Sequence, residues 1–229
     1  MTNLHSTQVS ILQNIMYSNG LRFSQLKPND TESNKFTFHL EKLIQDNWIK
    51  KTGNLYTLTE KGKELAGRMD LGDSKVKNQA KISVVMVCIN TNTQPKKYLL
   101  YTRLKSPFYK FQGFPTGKVQ EGEIISHAAI RELKEETGLT GKPQIVGILH
   151  STIKNPDLKL LEDKIFFVCK FNNPTGKLVS GPEGNYQWVD KPKISDYLQR
   201  PVQELKEIFT MLNKNRITFQ EKNYLVNGL

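Results

Sequence analysis

The chain has 229 residues, 37% of them hydrophobic and 24% charged, which is enough for one large or two small folded domains and is not a disordered composition. No apolar run approaches the ~18 residues of a membrane span, and the opening MTNLHSTQVS lacks the pattern of a signal peptide. Cys88 and Cys169 lie within apolar runs and are interpreted as small buried hydrophobic residues. We therefore exclude secreted, membrane-embedded and collagen-like classes and expect a cytoplasmic globular protein.

The formal net charge of +11 is unevenly distributed along the chain. Residues 1–75 contain ten Lys or Arg and eight Asp or Glu, whereas residues 76–229 contain 23 and 14. The excess in the C-terminal part favours an anionic ligand such as a nucleotide, RNA or a phosphorylated small molecule. A solvated lysine-rich surface explains the same excess, so charge alone does not choose between these alternatives.

The first 30 residues predict two helices. Apolar residues at helical spacing from Val9 to Met16 indicate a first helix, which ends at Asn19-Gly20. A brief second helix is expected at Phe23–Leu26, and the run Lys27-Pro28-Asn29-Asp30 closes it.

A third helix, a hairpin and a fourth helix are predicted next. Thr31 or Ser33 is expected to cap the third helix. Its apolar face has three members at i, i+4 and i+7: Phe36, Leu40 and Leu43. Two short extended segments flank Gly53-Asn54, a hairpin signal, and Thr59 caps the last helix. This order resembles a winged helix-turn-helix domain over residues 1–70, and LEKLIQDNWIKKTGNLYTLTEKGKEL is similar to the C-terminal half of such domains in transcription regulators.

The resemblance implies a candidate surface for duplex DNA. Its candidate contacts are basic residues of the third helix and the hairpin: Lys35, His39, Lys42, Lys50 and Lys51. Asn34 and Gln45 suit base edges, whereas Glu41 repels phosphate and Phe38 is unusual in a major groove. The alternative is a domain used for protein contact or homodimerisation, with Phe38 as an anchor.

The pattern changes after residue 70. Residues 71–79 lose apolar periodicity and are interpreted as a linker, after which a second domain is expected over residues 80–212. Residues 82–89 predict a strand buried on both faces, and a helix is expected over about 126–137, ended by Gly138. Further strands are expected near 98–102, 144–152, 164–171 and 186–189, and helices near 194–199 and 201–212. Residues 213–229 are interpreted as a C-terminal tail that is a strand, a partner-contacting segment or disordered.

Residues 117–139 carry the most specific motif of the chain, GKVQEGEIISHAAIRELKEETGL. The fixed residues follow the pattern G-x5-E-x7-R-E-U-x-E-E-x-G-U, where U is apolar, and nine matching positions make chance very unlikely. By this box the chain resembles the Nudix hydrolase family, and the likeness extends over about residues 80–210. The resemblance implies an α/β/α sandwich with a mixed sheet. The whole chain is thus predicted to be an α+β multidomain protein, with a winged helix-turn-helix followed by a Nudix domain.

Three glutamates of the box fall on one stripe of its helix. At about 100° per residue, Glu132, Glu135 and Glu136 lie within about a quarter turn. Their mutual repulsion is relieved by a cation, and hard oxygen ligands select Mg²⁺ or Mn²⁺. Such a site suits metal-assisted attack of water on a phosphoanhydride. The alternative is a solvated acidic face with an i, i+4 pair between Arg131 and Glu135.

The family pattern implies a role for each box residue. Glu132, Glu135 and Glu136 are the expected metal ligands, with Glu132 as the expected general base. Arg131 holds the glutamates in place, and together Arg131, Glu132 and Glu135 form the expected catalytic set. Two residues support the loop of the box: Gly117 and Glu123.

Further site residues are expected outside the box. The backbone carbonyl of Thr116 is an expected metal ligand. Glu183, later in the chain, is the best candidate for a further carboxylate ligand of the metal, an ordinary loop glutamate being the alternative. Glu162 and Asp163 are the runners-up for that role. Arg103 and Lys118 are candidate contacts to substrate phosphates, with surface charge as the alternative.

Three functions are compatible with these features. The first is a Mg²⁺-dependent hydrolase that cleaves a nucleoside diphosphate linked to another moiety, ADP-ribose or a nucleotide sugar being favoured, with the winged helix as an accessory domain. The second is a transcription regulator that binds DNA and senses a nucleotide-derived small molecule. The third is a hydrolase of RNA 5′ ends. The intact glutamates favour the first.

Overall fold

The computed structural model describes residues 4–28, 31–68 and 78–226. The chain divides into two compact units, residues 1–78 and 79–229. Of the predicted linker, residues 71–77 lie outside the described residues. No helix within the described ranges is long and apolar enough to cross a membrane.

The first unit has a small helical core and a two-stranded ribbon. Its elements are α1 (Ser6–Met16), α2 (Phe23–Leu26), α3 (Ser33–Gln45), β1 (Ile49–Thr52), β2 (Leu55–Leu58) and α4 (Glu60–Ala66). The ribbon is antiparallel, with Thr52 opposite Leu55. Gly53 at its tip has φ +60°, a left-handed conformation that glycine adopts without strain. The three predicted apolar residues of α3 are buried: Phe36, Leu40 and Leu43.

The helix caps of this unit correspond only partly to the prediction. Thr59 caps α4 as expected, since its Oγ1 accepts a hydrogen bond from the backbone N of Gly62 at 3.0 Å. The cap of α3 is Glu32, whose side chain makes no capping hydrogen bond. The expectation of Thr31 or Ser33 at this position is wrong, because the backbone N of Phe36 bonds to the carbonyl of Glu32, which makes Ser33 the first helical residue and Glu32 its cap.

The second unit is built around a six-strand sheet path with helices on both faces. Its strands are β3 (Lys81–Asn90), β4 (Lys97–Arg103), β5 (Gln112–Gly113), β6 (Thr116–Lys118), β7 (Leu139–Thr140), β8 (Pro143–Lys154), β9 (Leu160–Asn172), β10 (Thr175–Gly176), β11 (Gly184–Asp190) and β12 (Thr218–Leu225). Its helices are α5 (Ile125–Thr137), α6 (Ile194–Tyr197), which follows a 3-10 turn, and α7 (Leu205–Leu212).

The main sheet is mixed. Its order is β11-β4-β3-β9-β8-β12, with β5 added to β4 and β6 added to β3. The pairs β3–β9 and β8–β12 are parallel, and the others are antiparallel. This arrangement puts β6, which begins the box, beside the central strand β3.

Strand β3 is buried on both faces because helices cover both sides of the sheet. On one face its alternate residues Val84 and Met86 pack in a cluster with Ala129 and Leu133 of α5. On the other face Val85 and its neighbours pack in a cluster that includes three residues of α7: Leu205, Ile208 and Met211. The predicted α/β/α sandwich with a mixed sheet is therefore confirmed.

Both cysteines lie inside this sandwich. Cys88 and Cys169 are fully buried and form no disulfide. Burial raises the pKa of the Cys88 thiol and raises that of Cys169 to about 12. Both residues therefore serve as small apolar side chains, as predicted.

The elements after β11 differ from the prediction. The helix expected over 201–212 begins only at Leu205, because the backbone N of Val202 donates to the carbonyl of Gln112 and Pro201 forms a bridge with the same residue. The helix expected over 194–199 ends at Tyr197. Within the predicted tail, residues 218–225 form the edge strand β12. Of the three alternatives for this segment, namely a strand, a partner-contacting segment or disorder, the structure therefore shows the strand.

Candidate active site

Helix α5 approaches β6 closely because residue 117 has no side chain. A Cβ atom at Gly117 would lie 2.2 Å from Cγ of Glu132, far inside any permitted contact. The Glu132 side chain fills this space and is only 14% exposed. Its Oε1 accepts a hydrogen bond from the backbone N of Lys118 at 3.2 Å. The box glycine thus allows Glu132 to lie directly beside the segment that begins at Thr116.

The buried face of α5 determines which glutamates point outward. Ala128, Ala129 and Leu133 are fully buried against the sheet. The helix ends at Gly138, which has φ +72° and whose N–H bonds to the carbonyl of Lys134 at 2.9 Å. The acidic stripe therefore lies away from the apolar anchor, as the helical periodicity predicts.

Arg131 connects the glutamates of the box. Its Nε and one terminal nitrogen donate to both oxygens of Glu123, at 2.8 and 2.7 Å. The other terminal nitrogen donates to Glu132 at 2.8 Å and to Glu135 at 3.0 Å. A further bond, of 3.0 Å, reaches the carbonyl of Lys118. Arg131 therefore fixes the loop, the helix and β6 to one another.

This network changes the protonation of its members. Hydrogen bonds from Arg131 and then from the backbone N of Gln120 lower the pKa of Glu123 to about 2. The same bonds, with those to Glu132, raise the pKa of Arg131. Glu123 is therefore ionised at neutral pH, and its hydrogen bonds with Gln120 and Arg131 hold the loop to α5.

Glu136 has a different partner. The hydroxyl of Tyr186, on β11, donates a hydrogen bond to its carboxylate. Tyr186 stacks on Tyr101 of β4, with ring centroids 5.8 Å apart. Burial and then the bond to Glu136 raise the pKa of Tyr186. Sequence patterns did not identify Tyr186, because its contact joins positions 50 residues apart.

Three cations lie near these carboxylates. Lys105 forms an ion pair with Glu183, and its pKa is lowered by burial and by Arg103, while Glu136 and Glu132 act in the opposite direction. Lys118 also acts on Lys105 electrostatically. Arg103 uses its Nε to donate to two backbone carbonyls of the next loop, those of Lys105 at 2.9 Å and Pro107 at 2.7 Å.

A cavity of about 60 Å³ opens beside Thr116 and Arg103, between the sheet and the segment leading into α7. Its polar lining includes Glu204, which is buried and accepts a hydrogen bond from Ser151 at 2.7 Å. Burial raises the pKa of Glu204. Oε1 of Gln203 has no hydrogen-bond partner among the described residues. Sequence analysis missed these residues, because residues 201–204 were assigned to a helix.

The donor set of the acidic stripe fits a hard divalent cation. Carboxylates of Glu132, Glu135 and Glu136 and the carbonyl of Thr116 are all oxygen donors of the kind that Mg²⁺ binds. In the described part of the chain, however, no three acidic, His or Cys side chains are arranged to hold an ion as they stand. Metal binding therefore requires Glu135 and Glu136 to turn from Arg131 and Tyr186.

The three candidates for a further carboxylate ligand outside the box have different partners. Glu183 lies at the Lys105 ammonium, which is under the influence of the α5 glutamates. Glu162 pairs instead with Lys164 at 2.6 Å, and both line the cavity. Asp163 accepts a hydrogen bond from Nε2 of His150 at 3.0 Å.

The candidate DNA contacts of the first unit are mostly exposed. Lys35, Lys50 and Lys51 are open to solvent, and Lys42 forms an exposed ion pair with Asp46 at 3.1 Å. His39 is an exception. It is only 8% exposed and stacks on His5 with ring centroids 4.2 Å apart, and burial lowers its pKa. The expectation that His39 belongs to a basic surface is therefore wrong.

A family model and several relatives match the second unit. The model described as NUDIX domain matches residues 80–212, more than half of the chain. Nudix hydrolase 6 of Arabidopsis thaliana is 31% identical over 112 residues, which are 48% of this chain and 38% of the relative. ADP-ribose pyrophosphatase of Methanocaldococcus jannaschii is 39% identical over 61 residues, 26% of this chain and 36% of the relative. The chain thus spans less than half the length of either relative.

Solved structures share the fold of the second unit. A MutT protein of Bacillus halodurans has a TM-score of 0.53 at 23% identity, covering 63% of this chain and 90% of that chain. The NUDIX domain of Shewanella oneidensis NrtR, solved with ADP ribose, has a TM-score of 0.50 at 18% identity, covering 68% of this chain and 97% of that chain. At sequence identities this low, the similarity shows a shared fold alone.

Proposed function

Because the chain belongs to the NUDIX domain family, we propose that it is a Mg²⁺- or Mn²⁺-dependent pyrophosphohydrolase of nucleoside diphosphates linked to a second moiety. The observation that carries the proposal is the Arg131 network, which holds the loop and helix of a complete box beside Thr116. A solvated acidic face does not need Gly117 to admit Glu132 against β6.

The residues of the box divide the chemistry among them. We assign the metal to Glu132, Glu135, Glu136 and the Thr116 carbonyl; when bound, the ion neutralises phosphate oxygens and lowers the pKa of water. Glu132 is the proposed general base. The backbone N of Lys118 and the Arg131 guanidinium both donate to its Oε1, which leaves Oε2 as the oxygen that would accept the proton of the attacking water.

The cavity beside Thr116 and Arg103 measures about 60 Å³, well below the ~300 Å³ of an ordinary small-molecule pocket, so it encloses at most part of a substrate. A nucleoside or sugar attached to the diphosphate would therefore lie largely outside it; Glu204 and Gln203 are among its polar lining residues. The names of a matching relative, ADP-ribose pyrophosphatase, and of a structural neighbour solved with ADP ribose favour ADP-ribose within this class.

A substrate panel tests this function. We expect Mg²⁺-dependent release of a nucleoside monophosphate from ADP-ribose, or of phosphate-containing products from another member of a panel of nucleotide sugars, dinucleotides, nucleoside triphosphates and 5′-triphosphate RNA. Glu135→Gln and Glu136→Gln should each lower kcat by ~10²-fold or more. Glu121→Gln, which removes an exposed carboxylate of the same loop, is the matched control. Absence of turnover by the wild-type protein on every compound overturns the proposal.

A second candidate function rests on the first unit. Its order of helix, short helix, helix, two-stranded ribbon and helix is compatible with the proposed winged helix, and Lys35, Lys50 and Lys51 are exposed on α3 and the ribbon. A regulator would bind duplex DNA with an affinity that falls steeply with salt. Double substitution of Lys50 and Lys51 by Gln should then reduce the affinity and the salt slope. If binding is unaffected, protein contact through exposed Phe38 becomes the alternative.

A further inference from the structure

Lys105 is a cation at the acidic cluster that does not belong to the box. It lies in the loop between β4 and β5, and its ammonium contacts the carboxylate of Glu183. Its side chain is 42% exposed, so two of its three donors remain available to a ligand. The hydroxyl of Tyr186, which donates to Glu136, lies 3.5 Å from the position that a Cβ of Gly184 would take, so Glu136 lies close to the backbone next to Glu183. Lys105 therefore lies where negatively charged phosphates have to approach the proposed metal ligands.

The loop that carries Lys105 is held by several contacts. Arg103 Nε donates to the carbonyls of Lys105 and Pro107, and the backbone N of Leu104 donates to the carbonyl of Glu183 at 2.9 Å. The loop is also anchored by the rings of Phe108 and Phe111, which are buried and in edge contact. The ammonium of Lys105 is consequently positioned from both sides, by its own loop and by the segment before β11.

Arg103 and Lys105 have different roles in this arrangement. The Nε of Arg103 is used by the two loop carbonyls, so Arg103 shapes the loop. Lys105 instead presents a point charge to the cluster. Oε2 of Glu183 is held by the Lys105 ammonium, so metal binding by that oxygen would first require this ion pair to break.

On the basis of the proposed function, we propose that Lys105 binds a phosphate oxygen of the substrate and that Glu183 is the residue that positions the Lys105 ammonium, not a metal ligand. A charge-assisted hydrogen bond from lysine to a phosphate is a strong interaction. Glu183 restricts the flexible lysine side chain, and so reduces the ordering that phosphate binding requires.

Four variants test the pair: Lys105→Met, Lys105→Arg, Glu183→Gln and the double variant Lys105→Met/Glu183→Gln. On the substrate found with the panel, Lys105→Met should lower kcat/KM by about 10- to 100-fold, mostly through KM. Lys105→Arg should recover most of this loss. Glu183→Gln should have a smaller effect of the same kind. The kcat/KM of the double variant should be no lower than that of Lys105→Met alone, because both substitutions disrupt the same Lys105–Glu183 interaction.

The dependence on Mg²⁺ separates positioning from metal binding. If Glu183 positions Lys105, the Mg²⁺ concentration for half-maximal activity stays within about twofold in Glu183→Gln. A rise of tenfold or more makes Glu183 a metal ligand and overturns the inference. Lys110→Met is the matched control, since it removes the same charge from an exposed position of the same loop.

Calorimetric titration with inorganic pyrophosphate in the presence of Mg²⁺ distinguishes this inference from the proposed function. Weaker binding by Lys105→Met than by wild type and Lys110→Met supports the phosphate role, even if no panel compound is cleaved. If the wild type turns over a substrate, and Lys105→Met has the same KM and the same pyrophosphate affinity as the wild type, the inference about Lys105 is overturned. The proposed hydrolase function then still stands. Absence of pyrophosphate binding by the wild type also overturns it.

Discussion

At the scale of single residues, Gly117 shows how one missing side chain creates the site. Glu132 lies where a Cβ at position 117 would be, and this contact is what brings the α5 carboxylates to β6. The hydrogen bond from the backbone N of Lys118 then fixes the Glu132 carboxylate. The site therefore depends on the absence of a side chain at residue 117 as much as on its charged groups.

Substitution of Gly117 by Ala should displace the Glu132 side chain and so weaken its hydrogen bonds with Lys118 and Arg131. We expect a loss of about 1–3 kcal/mol in the free energy of unfolding, as is usual for overpacking, and a loss of hydrolytic activity. Urea denaturation and steady-state kinetics measure the two effects. Gly181→Ala is the control, because a Cβ there meets nothing within 4 Å. Equal behaviour of the two variants would contradict this view of Gly117.

Glu123 gives a prediction about pH. Its pKa is lowered to about 2 in the folded chain, from an ordinary value of 4.5. The Arg131 network therefore contributes stability above pH 4.5, and this contribution is lost as the pH falls from 4.5 toward 2. Glu123→Gln should flatten the dependence of the unfolding free energy on pH in that window. Urea titrations at several pH values check this, with Glu121→Gln as the variant in which the slope should persist.

At the scale of elements, long and periodic segments could be predicted from the sequence. β3 follows from its continuous apolar run, and α5 from its buried face and from Gly138. β12 could not be assigned, because an edge strand buries few side chains and its partner β8 lies about 70 residues earlier in the chain.

The candidate site shows the same limit. The box placed Arg131 and the glutamates together because one helix and its loop carry them all. Lys105, Tyr186 and Glu204 were missed, since each joins the site through a contact distant in sequence. Local patterns contain no signal for such contacts.

His150 connects three strands, and we expect its contacts to stabilise the pairing of β12 with the sheet. It lies on β8 between Asp163 of β9, at 3.0 Å, and Glu221 of β12, at 3.2 Å. Hydrogen bonds to Asp163 and then to Glu221 raise its pKa above 6.5. The stabilisation is therefore complete below pH 6.5 and is lost as the pH rises through the raised value.

His150→Gln should remove this dependence. Amide hydrogen exchange of residues 218–225 should become faster in wild type as the pH rises through that window, beyond the intrinsic change of the exchange rate, but not in the variant. His127→Gln, which changes an exposed histidine of α5, should behave as wild type. An unchanged profile in His150→Gln would show that backbone pairing alone holds β12.

At the scale of the whole molecule, each unit has its own hydrophobic core. The core of the first unit is formed by its four helices, α1 to α4, and the ribbon, and those of the second by the two faces of the sheet. All proposed metal and phosphate contacts lie in the second unit. The two activities considered for the chain are thus expected to be separable.

A chain of residues 79–229 should fold and keep kcat/KM within about threefold of the full chain, since domains with their own cores generally fold alone. Circular dichroism and the substrate panel measure this, and residues 1–78 should carry any affinity for duplex DNA. A shortened chain that folds but has lost activity would show that the first unit takes part in hydrolysis.

The burial of Cys88 and Cys169 has a practical consequence. The only two thiols of the chain lie in the sandwich and have raised pKa values, so maleimide reagents should not label the folded protein. They become reactive only when the sandwich opens, which makes alkylation a native reporter of unfolding. A single cysteine introduced at Lys110 would accordingly accept a fluorophore alone, and would report on the Lys105 loop as ligands bind.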